Sequence, residues 1–202
     1  MLKNTTHSFG SVTKILHWAI ALLILLMFLS GYFDLPPHIH KLLGLSVLLL
    51  MILRILWRVS NPMPKLPPRV TNLERALARA VQGLLYFTLL AMPLSGWMMS
   101  TAFGHPPRIG TLNLPFPGLT HLSNWGPLLW DLHSSLAIVI LVLIGLHFLG
   151  AMKHFFIDHD GVMQRMLPRC FHRRLKITQW QKKLKRPIKL HPRVREDDTR
   201  RQ

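Results

Sequence analysis

The stretch LLWDLHSSLAIVILVLIGLHFLGAM, residues 128 to 152, decides the fold. It exceeds the ~20 residues a helix needs to cross the hydrocarbon core of a bilayer. Between Asp131 and Lys153 it carries no charge, yet it holds two imidazoles, His133 and His147. A histidine in hydrocarbon is costly without a partner, so a pair of them in one apolar run points to a function as well as to a location.

Working outward, similar apolar runs occur at about 15 to 33, 42 to 57 and 76 to 99, so the sequence predicts four membrane-spanning helices. The first, LHWAIALLILLMFLSGYF (16 to 33), is long for a signal peptide and shows no small-x-small cleavage site near Asp34-Leu35-Pro36-Pro37; it reads as a retained helix. The expected fold class is all-α, an integral membrane four-helix bundle. NPMPKLPP (61 to 68) and FGHPPRIGTLNLPFP (103 to 117) are too rich in Pro and Gly to continue a helix and form links.

Half of the 202 residues are hydrophobic and only 16% charged, yet Lys plus Arg number 25 against 8 Asp plus Glu, a formal charge of +17. That mixture suits a chain whose apolar residues lie in spans and whose basic residues lie in the connections. Arg54, Arg58, Lys65, Arg69, Arg75 and Arg79 crowd the second link, whereas the first link has no Lys or Arg before Lys41 and the third has only Arg108. By the positive-inside rule both termini and the second link face the cytoplasm. The expected organisation is a four-span domain over residues 1–168 and a basic cytoplasmic tail over 169–202. That tail reads as a disordered or surface-lying segment drawn to anionic head groups, with no nucleic-acid role. Cys170 lies in it alone, so no internal disulfide forms.

Of 12 histidines, four lie at or within the spans. His17 begins the first and His147 lies late in the fourth, at the inner level; His40 opens the second and His133 the fourth, at the outer level. His133 and His147 are fourteen residues apart, ~21 Å at helical rise and close to a whole number of turns, so both look to one side of the helix. Two depths with two histidines at each is what two stacked b-type haems require, each iron taking one imidazole from each of two facing helices. A porphyrin plate also needs small residues under its face, and Ala21, Gly44, Ala137 and Ala151 stand one turn beyond the four histidines. Taken singly, His17 can also serve as an interfacial anchor, His40 as a loop residue and His133 as a helix-start residue. His147, in LVLIGLHFLGAM with no charged neighbour until Lys153, is the hardest of the four to explain in such a way.

Arg54, fourteen residues after His40, falls at the inner level and with Arg58 is a candidate partner for haem propionates. Lys41 is the outer counterpart. All three also fit the ordinary basic fringe of membrane helices. His154, two turns below His147, is a candidate for a quinone carbonyl or a proton, or a plain juxtamembrane residue.

The segments KILHW (14 to 18), IHKLLG (39 to 44), LRILWRV (53 to 59), LLYFTLLAMPLSGWMMS (84 to 100), LHSSLA (132 to 137), IGLHFLGAMKHFFIDHD (144 to 160) and RMLP (165 to 168), in this order and spacing, resemble the prokaryotic cytochrome b561 family, related to the cytochrome b subunits of nickel hydrogenases. The resemblance implies a four-helix inner-membrane cytochrome with two haem b groups, His17 and His147 holding the inner iron and His40 and His133 the outer. It also implies electron exchange with quinone and a superoxide:ubiquinone oxidoreductase activity, with superoxide as outer donor and the ubiquinone pool as acceptor. Gln82 stands where the family often has histidine, and His154-Phe155 where it tends to have a histidine pair. Two other functions fit the composition: an anchor subunit taking electrons from a periplasmic hydrogenase or dehydrogenase partner, and a histidine-based metal-ion transporter. Transport of a divalent cation calls for carboxylates among the imidazoles, and no Asp or Glu lies in a span core. Neither a C-x-x-C-H haem attachment nor a nucleophile–base constellation occurs, so no covalent catalysis is expected.

Overall fold

Four helices form where the apolar runs lie: α1 Ser11–Tyr32, α2 Pro37–Val59, α3 Asn72–Ala102 and α4 Gly126–Phe156. The structure is a computed structural model that describes residues 2–5, 8–33, 35–64, 70–118, 123–159 and 161–167. Helices α2, α3 and α4 outrun their apolar stretches at both ends and α1 at its start. Thr71 and Glu74 form a reciprocal capping box that starts α3 ahead of the apolar run. Proline stands in the first turn of α2 and of α4, where its missing N–H costs no helical bond. Phe156 ends α4 one turn beyond Lys153, a cation suited to a helix C-terminus.

All four helices are long and apolar enough to cross a membrane, with few residues of each covered by protein. Leucine, isoleucine and phenylalanine side chains stand exposed around them, Leu25, Phe28, Leu49, Ile52, Phe87, Ile138 and Phe148 among them. Such a surface is stable only against lipid, so the chain is a multi-pass membrane protein. In lipid an apolar contact gains no hydrophobic free energy, and packing must hold the helices together through dispersion and close fit. The tightest such contact is Ile20 of α1 with Val47 and Met51 of α2, backed by Tyr86, Leu89 and Leu90 of α3.

The close packing is sequential: α1 on α2, α2 on α3, and α3 on α4 most extensively. Among the described residues α4 has no comparable packing against α1 or α2. Imidazole rings bridge that opening. The helices lie in one compact unit, Met1–Met166.

The third link carries a small antiparallel hairpin, β1 Arg108–Ile109 with β2 Leu112–Asn113, turned at Gly110, whose φ of 60° favours glycine. It is pinned to the helices: the Trp97 indole donates to the Leu114 carbonyl at 2.8 Å, the Phe116 N–H to Thr101 Oγ1 at 2.9 Å, and Lys41 Nζ to the His105 carbonyl at 2.6 Å. At the other end of the bundle Lys153 Nζ lies 2.7 Å from Glu74 and 2.8 Å from Asp158, tying the end of α4 to the start of α3. There too Trp18 donates to the Met166 carbonyl at 3.0 Å and so holds the chain after α4. Lys65, Arg69, Cys170, His7, His121, His172, His191, the boundary at residue 168 and the tail 169–202 lie outside the described residues.

Candidate functional site

The four span histidines meet in two pairs. His17 of α1 faces His147 of α4 with ring centroids 6.2 Å apart and planes 70° from parallel; His40 of α2 faces His133 of α4 at 6.3 Å and 73°. Two imidazoles gripping one metal from opposite sides at about 2 Å each put their donor nitrogens about 4 Å apart and their ring centres about 6 Å apart. Both pairs have that spacing. Within neither pair do the two rings hydrogen-bond each other. His17 Nδ1 is buried without a hydrogen-bond partner, a costly state for a core histidine.

The His40–His133 pair opens on a cavity of about 760 Å³ lined mainly by apolar side chains. A cavity of this size suits a bulky, flat, apolar cofactor. Its walls include Gly44 and Ala137, two of the four small residues expected one turn from the histidines, and not Ala21 or Ala151. Gly96 lines it too. A Cβ there would stand 2.7 Å from His133 Cε1, so only glycine lets the ring sit where it does.

Two serines complete this level. Ser30 Oγ lies 3.1 Å from His40 Nδ1 and donates its own proton to the Met27 carbonyl at 2.7 Å. Ser95 Oγ lies 3.1 Å from His133 Nδ1 and donates to the Met92 carbonyl at 2.8 Å; that carbonyl is itself 3.1 Å from His133 Nδ1. A hydroxyl has one proton and a carbonyl none, so in both cases the imidazole Nδ1 must be the donor. Nε2 is then left with its lone pair, free to bind a metal. The sequence reading passed over these serines, although both stand in the same tetrapeptide frame, Leu29-Ser30-Gly31-Tyr32 and Leu94-Ser95-Gly96-Trp97.

At the basic end, Arg54 and Arg58 converge on Tyr86: Arg54 Nε donates to its hydroxyl at 3.2 Å and Arg58 Nη1 at 3.4 Å, with both guanidinium groups over the ring at 5.5 and 4.8 Å. They line a recess of about 20 Å³ with Leu16, Trp57 and Gln82, room for a water and no more. His154 is not part of it. Its Nδ1 pairs with Asp158 at 3.2 Å, beside the Lys153 bridge. Lys41 does line the large cavity, at its hairpin-covered mouth. Among the described residues no group of three or more His, Cys, Asp or Glu gathers as a metal site, so the imidazoles come only in twos.

A family model described as prokaryotic cytochrome b561 matches residues 8–169. Cytochrome b561 homolog 2 of Escherichia coli K12 is 32% identical over 176 residues, covering 81% of this chain and 93% of the relative. Cytochrome b561 homolog 1 of the same strain is 28% identical, over 80% of this chain and 97% of its own length. A protein of Yersinia pestis named probable superoxide oxidase CybB is 26% identical, over 76% and 92%. The chain belongs to the prokaryotic cytochrome b561 family, membrane electron-transfer proteins whose cofactor is haem b.

Proposed function

We propose that this chain binds two haem b groups, one between His17 and His147 and one between His40 and His133, and carries electrons between the two ends of the bundle. The observation that supports this most is the pair of ring separations, 6.2 and 6.3 Å, on a helix that contributes one imidazole to each. When bound, haem supplies one-electron iron chemistry without any proton or atom being transferred by the protein. At the hairpin end Nε2 of His40 and of His133 would hold the group, Gly44, Gly96 and Ala137 would leave room for it, and the apolar wall of the cavity would exclude water; at the basic end the imidazoles of His17 and His147 would hold its counterpart. Arg54 and Arg58 place positive charge at the level of the inner pair, where it favours acidic substituents of the cofactor.

The basic end faces the cytoplasm of a bacterial inner membrane, in keeping with the arginines of the second link. Electrons enter at the hairpin end from a donor such as superoxide and leave at the basic end to ubiquinone. The name of the Yersinia pestis relative supports the donor. Arg54 and His154 are the candidates for handling quinone.

A dithionite-minus-oxidised spectrum with a pyridine haemochrome count on the detergent-purified protein tests the reading. Two b haems per chain are expected, with His147→Ala and His133→Ala each losing one. A colourless protein, or one haem in the wild type, ends it. Quinone-dependent reoxidation should slow in Arg54→Ala and in His154→Ala; unchanged rates in both would remove the quinone assignment and leave the haems.

A further inference from the structure

The two imidazole pairs are built differently. At the hairpin end both rings have a hydrogen-bond acceptor at Nδ1: Ser30 for His40, Ser95 and the Met92 carbonyl for His133. At the basic end His17 Nδ1 is buried with none. The serines are not surface ornaments, since Ser30 and Ser95 are each only 3% exposed. They come from different helices, α1 and α3, and neither helix supplies the ring it serves, so each also bridges helices: α1 to α2 and α3 to α4.

Both serines also donate to the carbonyl three residues earlier in their own helix. That bond fixes the rotamer and commits the hydroxyl proton, so the oxygen can only accept from the ring. An imidazole whose Nδ1–H is held by an acceptor has a richer electron density at Nε2 and is a stronger donor to iron, more so for the ferric than for the ferrous ion. The two Leu-Ser-Gly-aromatic frames share the serine contact, while the glycine is required only in the second, since a Cβ at Gly31 would meet nothing within 4 Å. The serine faces the ring, and at Gly96 the next residue must lack a side chain for the ring to approach.

We infer that Ser30 and Ser95 are positioning residues that orient His40 and His133 for the iron of the hairpin-end centre and make that centre harder to reduce than it would be without them. The inference rests on the haem assignment proposed above. It adds that the protein tunes one centre through two hydroxyls and leaves the other without this device. His40, which has Ser30 alone, depends on its serine more than His133, which keeps the Met92 carbonyl when Ser95 is removed.

The test is a spectroelectrochemical titration of the full-length protein, beside a haemochrome count, for Ser30→Ala, Ser95→Ala, Ser30→Thr and a control, Ser46→Ala, whose hydroxyl bonds only its own helix. In Ser30→Ala one midpoint potential should rise by about tenfold in the reduced-to-oxidised ratio at fixed ambient potential, ~59 mV for one electron, the other staying in place. Ser95→Ala should move the same centre in the same direction by less. Ser30→Thr, which keeps the acceptor, and Ser46→Ala should match the wild type. Two haems with both potentials unmoved in Ser30→Ala overturn the inference while sparing the haem assignment. If Ser30→Ala fails to retain its haem, Ser30→Thr decides: retention at the wild-type potential supports the role, and loss there too refutes it. Fewer than two haems in the wild type would instead defeat the assignment beneath it.

Discussion

Gly96→Ala is the smallest change that should dismantle one centre. The added methyl carbon would lie 2.7 Å from Cε1 and 3.1 Å from Nδ1 of His133, against the 3.4 to 4 Å of ordinary contact, so the ring must retreat by roughly 0.7 Å or more. The contact is with an imidazole ring and not with the end of a flexible chain, and the ring is held on the same face by Ser95 and Met92 at 3.1 Å each. A retreat of that size stretches both bonds beyond useful length. Overpacking of this kind costs about 1–3 kcal/mol, which corresponds to a hold on the cofactor weaker by roughly 5- to 150-fold. Gly83→Ala on the same helix is the matched control, because a Cβ there would meet nothing within 4 Å and Gly83 lines neither the large cavity nor the basic-end recess. Haem stoichiometry after dilution in detergent is the assay: Gly96→Ala should fall from two toward one haem per chain, with Gly83→Ala unchanged. Two firmly held haems with wild-type spectra in Gly96→Ala would refute the claim that His133 needs its observed position.

Three further outcomes follow from contacts outside the imidazole pairs. Thr71→Ala removes the acceptor for the Glu74 N–H and half of the capping box, and should destabilise the first turn of α3 by about 1 kcal/mol, read as faster amide exchange at residues 72 to 75 with the haem spectrum unaltered. Lys153→Met opens the bridge to Glu74 and Asp158; because the three side chains are partly exposed, the expected drop in thermal midpoint is small and should disappear in high salt. Trp97→Phe keeps the aromatic contact with Phe116 but loses the bond to the Leu114 carbonyl, and should make the 103–117 link more readily cleaved in limited proteolysis, by about the fivefold that ~1 kcal/mol allows.

The sequence alone determined the number of helices and their approximate places, since hydropathy over some twenty residues is a property of composition and lipid admits no other backbone solution for a single chain of this kind. It also determined that four histidines fall at two depths, because helical rise is fixed and residue number then measures depth. Helix ends were less legible: the apolar run at 76 to 99 says nothing of a capping box that starts five residues earlier, although Thr71 and Glu74 were there to be read. Only the tertiary structure decided which side chains meet. That Arg54 and Arg58 share Tyr86 and that Lys41 reaches the His105 carbonyl depend on which segments are neighbours, and spacing along one helix does not encode this. Ser30, Ser95 and Gly96 look in the sequence like the small residues common to any membrane helix. Their task exists only once α1 lies against α2 and α3 against α4, because a hydrogen bond or a close approach is a relation between two segments, and its chemistry belongs to neither alone.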